Sequence, residues 1–305
     1  MRNLDKYKGV IPAFYACYDK DGNISPEGVQ ALTRYFIEKG VKGVYVNGSS
    51  GECIYQSVED KKTVLENVME AAGGRLTVIA HVACNNTEDS KILAAHAEKL
   101  GVDAIAAIPP IYFHLPEYAI AEYWNDISAA APETDFVIYN IPQLAGVALT
   151  MDLFAEMRKN PRVIGVKNSS MPVQDIQMFK AAAGEDYIIF NGPDEQFMSG
   201  RVIGAEGAIG GTYGAMPELF LKLDELVKAG EMEAAKDLQY VINSIIYKMC
   251  SAHGNMYGVI KEILKKNEGL ELGGVRRPLP SLAGSDMAVV EEAAQMIMDA
   301  KAKYL

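Results

Sequence analysis

Eight times in succession the chain sets down a short run of mostly uncharged, aliphatic residues and follows it with a helical segment. The runs are 10–17, 44–46, 76–81, 104–108, 136–140, 163–167, 187–190 and 208–210. Apolar and polar residues do not alternate within them, so each predicts a strand covered on both faces, the signature of a parallel sheet wrapped by helices. Eight such units in the first 230 residues predict an α/β chain, a (β/α)8 TIM barrel. An open doubly wound sheet is the alternative, but no Gly-x-Gly-x-x-Gly follows the first run.

Helix punctuation supports the alternation. Ser25 is an N-cap with Pro26 at the first helical position, and Gly40 closes that helix. Segment 58–72 ends at Gly73-Gly74. Thr87 begins segment 87–100, Glu88 and Asp89 suit its positive end, and Gly101 stops it. Helices are also expected over 116–130, 150–158, 173–183, 194–203 and 217–229. After about Glu231 only helices are expected, over 232–252, 255–266 and 285–303. Residues 1–230 are therefore read as the barrel carrying the active site, and 231–305 as a C-terminal three-helix extension packed on it.

Composition excludes several classes of function. The net charge of −11 repels phosphate backbones, so no nucleic-acid partner is expected. Residues 1–8 lack an apolar signal core, and no apolar run approaches the ~20 residues that span a bilayer. No membrane partner and a cytoplasmic location follow as expectations. The cysteines (Cys17, Cys53, Cys84, Cys250) are far apart and read as reduced thiols, and the histidines (His81, His96, His114, His253) form no cluster. No metal site is expected.

The stretch Val163-Ile164-Gly165-Val166-Lys167-Asn168-Ser169-Ser170 carries the sharpest chemical signal. An ammonium at the end of a buried strand is expensive to desolvate unless it is paired or loses its proton. A lysine in apolar surroundings shifts below its usual pKa of about 10.4 and becomes an amine nucleophile. Lys167 is therefore a candidate for a Schiff base with a carbonyl substrate; the plainer reading is a lysine that reaches solvent past the strand end. In a (β/α)8 barrel the active site forms at the C-terminal ends of the strands, where four other polar stretches fall. Gly48-Ser49-Ser50-Gly51-Glu52 can present amides and hydroxyls to a carboxylate, or be an ordinary turn. Tyr139 can donate and accept a proton, or be a core tyrosine. Asp194 and Glu195 follow Gly192-Pro193, where a helix start favours acids in any protein. Gly210-Gly211 lets backbone approach a ligand, or relieves crowding at the barrel mouth.

Three of these stretches carry a family resemblance. Gly48-Ser49-Ser50-Gly51-Glu52, Tyr139-Asn140-Ile141-Pro142 and Gly165-Val166-Lys167-Asn168-Ser169 resemble, in order, the signatures of the N-acetylneuraminate lyase / dihydrodipicolinate synthase family. The match covers nearly the whole chain. The resemblance implies a (β/α)8 barrel with C-terminal helices, usually a homotetramer, acting as a class I aldolase on pyruvate with no cofactor beyond the lysine imine. It implies that Lys167 forms the Schiff base, that Ser49 and Ser50 hold the carboxylate, and that Tyr139, oriented by Ser50, shuttles the proton.

The synthase branch carries an arginine just after Tyr-Asn-x-Pro, and Gln143-Leu144-Ala145-Gly146 has none. That resembles the lyase branch, as do Gly192-x-Asp194-Glu195, implied to bind sugar hydroxyls, and the hydroxyl of Ser169. The implied reaction is reversible cleavage of N-acetylneuraminate to N-acetylmannosamine and pyruvate. The rivals are dihydrodipicolinate synthesis, a lyase for another sugar acid, and a catalytically silent binding barrel. Two residues depart from the lyase pattern: Gly211 stands where a serine is frequent, and Pro193 where an aromatic residue is common. Tyr112 would correspond to a tyrosine that some relatives insert into a neighbouring subunit's site.

Overall fold

The structure, a computed structural model, describes residues 3–305. In chain order it contains β1 (Gly9–Pro12), α1 (Pro26–Glu38), β2 (Gly43–Val46), α2 (Val58–Ala72), β3 (Thr77–His81), α3 (Thr87–Leu100), β4 (Ala104–Ala107) and α4 (Glu117–Ala129). Next come β5 (Asp135–Asn140), α5 (Pro142–Ala145), α6 (Met151–Met157), β6 (Val163–Asn168), α7 (Gln174–Ala183), β7 (Ile188–Asn191), α8 (Phe197–Ile203) and β8 (Gly207–Gly210). The chain continues with α9 (Pro217–Ala229), α10 (Met232–Cys250), α11 (Met256–Glu268) and α12 (Met287–Tyr304).

The eight strands form one sheet in the order β1-β8-β7-β6-β5-β4-β3-β2. The pairs from β2–β3 through β7–β8 are parallel. The Lys42 N–H donates to the Val10 carbonyl at 3.0 Å and brings the two ends of the sheet together. This is a (β/α)8 barrel followed by C-terminal helices, as the alternation predicts. Every strand residue is buried except the half-buried Asp135, which is why the runs show no polar alternation.

Local signals explain most boundaries. Ser25 Oγ accepts from the Gly28 N–H at 3.1 Å, with Pro26 at the first position of α1. Gly73 (φ 52°) and Gly101 (φ 78°) end α2 and α3 in the left-handed region. Helix α3 begins at Thr87 as read, capped by Asn86, whose Oδ1 accepts from the Asp89 N–H at 2.7 Å. Three details differ from the sequence reading. The first strand stops at Pro12 rather than continuing to 17, because proline contributes no N–H to a ladder. Segment 194–203 opens as a 3-10 turn, Asp194–Gln196, before α8. The short helix α5, started by Pro142, is additional.

By contacts the chain forms two compact units. The first, the run up to Ile11 with Lys42–Val46 and Thr77–Gly210, holds the sheet and α3 to α8. Its interior is graded. At the N-terminal end of the strands Leu4 and Tyr7 plug the barrel, and the Tyr7 phenol lies 2.6 Å from the Asp103 carbonyl and 2.8 Å from the Asp135 carboxylate. Aliphatic residues such as Ile79, Ile188 and Ile209 fill the middle, and polar side chains gather at the C-terminal end.

The second unit, Pro12–Val41, Asn47–Leu76 and Gly211–Leu305, holds α1, α2 and α9 to α12. Helices α9, α10 and α12 pack on one another, and α11 packs on α12. Leu238, Ile242, Ile245, Ile246 and Met249 make the buried stripe of α10, at the spacing of one helix face.

Candidate active site

Strand β6 carries one residue more than its neighbour. Phe136 pairs with Val163, but Val137 pairs with Gly165, so Ile164 is extra. Such a bulge re-aims the side chains beyond it. Ile164 lies in the barrel core, and Lys167, three residues on, also turns inward. Gly165 permits the bulge, because a Cβ there would collide with the Ile188 carbonyl oxygen. Lys167 is consequently 5% exposed. Its Nζ lies 3.6 Å from the Tyr139 ring centroid and 4.7 Å from that of Tyr45. Tyr139 is its direct partner in the β5–β6 register.

Tyr45 and His81 complete an aromatic wall. The Tyr45 and Tyr139 rings meet edge to face at 5.7 Å, and His81 meets Tyr139 edge to face at 6.0 Å. The Ile108 N–H donates to His81 Nε2 at 3.4 Å. Neither Tyr45 nor His81 stands out in the sequence, where each reads as one more strand residue.

One level further out, amides tie the strand ends together. Asn140 Nδ2 donates to Asn168 Oδ1 at 2.7 Å, and Asn168 Nδ2 donates to Ser170 Oγ at 2.8 Å. Ser170 in turn donates to Asp175 at 2.6 Å, and Asn140 Oδ1 accepts from the Leu149 N–H at 3.0 Å. This network holds β5, β6 and the start of α7 at fixed separations around the lysine. Ser169 continues the ladder, its N–H donating to the Asn140 carbonyl at 2.7 Å. Gly192 packs so tightly on Ser169 that an added Cβ would overlap the Ser169 hydroxyl. Asp194 is 6% exposed in its 3-10 turn, and Glu195 beside it is half-buried. Tyr112 stands 85% exposed at φ 85°, its ring against Phe113 at 5.0 Å.

Ser49, Ser50 and Gly211 belong to the second unit. The two serines open a 3-10 turn, Ser49–Gly51, in which Ser50 is 3% exposed. Ser50 Oγ donates to the Tyr257 hydroxyl at 3.3 Å. A Cβ at Gly211 would stand 3.1 Å from Ser50 Oγ and 3.7 Å from the Tyr257 hydroxyl, so this position is already crowded by two hydroxyls. The Gly211 carbonyl accepts from Tyr15 at 2.7 Å. Sequence reasoning missed Tyr257 because more than 200 residues separate it from Ser50.

Chemically, the first unit offers an amine removed from water beside a phenol, and the second a turn rich in hydroxyls and amides. The amine can add to a carbonyl, and the phenol can carry a proton to or from the product. Among the described residues no group of three His, Cys, Asp or Glu side chains is placed to hold a metal ion. No helix among them is long and apolar enough to cross a membrane.

The profile of the dihydrodipicolinate synthetase family matches residues 6–297. The chain belongs to that family. Within it, the chain is 82% identical to an N-acetylneuraminate lyase of Mediterraneibacter gnavus, over 100% of this chain and 97% of that protein. It is 33% identical to an N-acetylneuraminate lyase of Rhizobium meliloti, over 96% of each. A solved structure of a Ruminococcus gnavus sialic acid aldolase, a catalytic lysine mutant, superimposes with a TM-score of 1.00 at 82% identity over 100% of both chains. CdNal from Clostridium difficile, solved in complex with mannosamine, gives a TM-score of 0.88 at 29% identity, over 98% of this chain and 99% of that one.

Proposed function

We propose that the chain is a Schiff-base pyruvate aldolase that cleaves N-acetylneuraminate reversibly to N-acetylmannosamine and pyruvate. The observation that carries this reading is the buried Lys167 amine lying 3.6 Å from the ring of Tyr139. Likeness to lyases along the full chain supports the choice of substrate.

In the cleavage direction the Lys167 amine adds to the ketone carbon of the open-chain sugar acid and expels water, leaving a protonated imine. Tyr139 takes the proton from the hydroxyl on the β-carbon. The bond between α- and β-carbons breaks, its electron pair moves toward the imine nitrogen, and the amino sugar departs as an aldehyde. The resulting enamine takes a proton at carbon, and water then releases pyruvate and restores the amine.

Ser49 and Ser50 are assigned to the carboxylate, and Ser50 also to orienting Tyr139. Asp194 and Glu195 are assigned to the sugar hydroxyls, with Ser169, Gly192 and Gly211 lining the substrate. A carboxylate suits a polyol, which donates hydrogen bonds, and repels a second carboxyl group. The reading includes no cofactor beyond the imine, a cytoplasmic homotetramer, and Tyr112 contributed to a neighbouring subunit.

Two coupled assays test it. One offers N-acetylneuraminate and measures pyruvate; the other offers aspartate semialdehyde plus pyruvate. Turnover of the sugar acid is the expected result. Turnover of the second pair alone would make the chain a synthase.

A further inference from the structure

Glu52 directly follows Ser49-Ser50-Gly51 and sits at φ 57°, ψ 37°, a left-handed conformation that residues with a Cβ seldom adopt. Its N–H donates to the Ser49 carbonyl at 3.0 Å and so closes the turn that carries both serines. Strain of this kind persists only where the surroundings over-determine it. Here the surroundings are three donors on a side chain that is 0% exposed. Lys261 Nζ donates to Oε1 at 3.0 Å, while the Tyr18 hydroxyl and the Arg276 N–H donate to Oε2 at 3.1 and 2.8 Å.

Lys261 is as deeply buried as its partner, with 1% of its side chain exposed, and it also donates to the Gly274 carbonyl at 2.5 Å. It lies on α11 one turn after Tyr257, the residue that meets Ser50. Residues four apart share a helix face. One face of α11 therefore holds the serine turn at two points: Tyr257 at the hydroxyl of Ser50, and Lys261 at the residue whose backbone closes the turn. A buried ion pair is a poor way to gain stability, because two charges must leave water, but it is a strict way to fix a geometry.

We propose that Lys261 is a positioning residue, and that its pairing with Glu52 sets the shape in which Ser49 and Ser50 are presented to the substrate carboxylate. The proposal rests on the aldolase reading above, which assigns that carboxylate to the serines. Lys261 touches neither the substrate nor the reacting atoms.

The test compares full-length wild type, K261M, E52Q and the double variant E52Q/K261M. Each is incubated with a range of pyruvate concentrations, reduced with borohydride, and scored for modified protein, with thermal unfolding measured alongside. The double variant leaves no lone buried charge, so it recovers stability relative to K261M and carries the measurement where K261M is unfolded. We expect half-saturating pyruvate to rise about 10-fold or more in the folded variants, the double included, because a displaced binding group loses orientation. For the same variants kcat with N-acetylneuraminate should fall far less than KM rises. A purely structural pair predicts instead that the stable double variant is trapped at the wild-type pyruvate concentration, and that result overturns the proposal. A wild type that forms no adduct at Lys167 defeats the aldolase reading itself, which is a different failure.

Discussion

Lys167 and Lys261 are both taken out of water, 5% and 2% exposed, yet the fold holds them in different ways. Lys261 donates to the Glu52 carboxylate at 3.0 Å. Burial draws its pKa down, and Glu52 acts against that shift. Lys167 lies instead against the faces of two phenol rings, 3.6 and 4.7 Å from their centroids. A ring face stabilises an ammonium by roughly 0.5–2 kcal/mol, whereas stripping one partner from a buried ion pair costs about 3–5 kcal/mol. Glu52 therefore gives Lys261 a countercharge at hydrogen-bond distance, while two ring faces flank the Lys167 nitrogen. Burial alone does not make a nucleophile; the neighbours decide whether a buried amine is a strut or a reagent.

The largest expected effect breaks the reagent side. Lys167→Ala should abolish cleavage, since no imine can form, and circular dichroism should show the fold intact. Tyr139→Phe should retain the borohydride-trapped pyruvate adduct but cleave the sugar acid about 10²–10⁴-fold more slowly. A wild-type rate in that variant would remove Tyr139 from the proton transfer.

The strut side should respond in stability. Lys261→Met should lower the unfolding free energy by about 3–5 kcal/mol by leaving the buried Glu52 charge without its lysine, and adding Glu52→Gln should recover part of the loss. Lys167→Met should cost less stability than Lys261→Met, because a ring face contributes less to a buried ammonium than a carboxylate does. Equal losses in urea unfolding of the two Met variants would erase the distinction between the lysines.

The smallest effect is a pH dependence near the strut. Burial pushes the Asp60 carboxyl up, but hydrogen bonds from Arg276 and Ser57 outweigh it and hold the group below its ordinary value. A depressed folded-state pKa gives stability that is present above the unfolded value of about 3.9 and is lost as the pH falls through the folded value. The melting temperature of wild type should therefore fall more steeply than that of Asp60→Asn below about pH 4.

Much of the fold could be read from the chain because its signals are local. Ser25, Gly73 and Gly101 each act on their own helix end, and strands buried on both faces announce themselves as apolar runs. The same uniformity hid the register: with no alternation in 163–167, nothing marks Ile164 as the extra residue that turns Lys167 inward. Lys167 and Tyr139 could be singled out because a charge and a phenol are conspicuous at strand ends. Tyr45 and His81 could not, since an aromatic residue in a strand is ordinary core until its neighbours are known. The link from Glu52 to Lys261 spans 209 residues and depends on how α11 packs, which no local pattern encodes.

The most direct measurement is a map of where pyruvate becomes fixed. Wild-type protein is incubated with pyruvate, reduced with borohydride, digested and sequenced by mass spectrometry. The account predicts one modified lysine, Lys167, with the Lys261 peptide unchanged. Modification at Lys261, or no modification of the Lys167 peptide at saturating pyruvate, would contradict it.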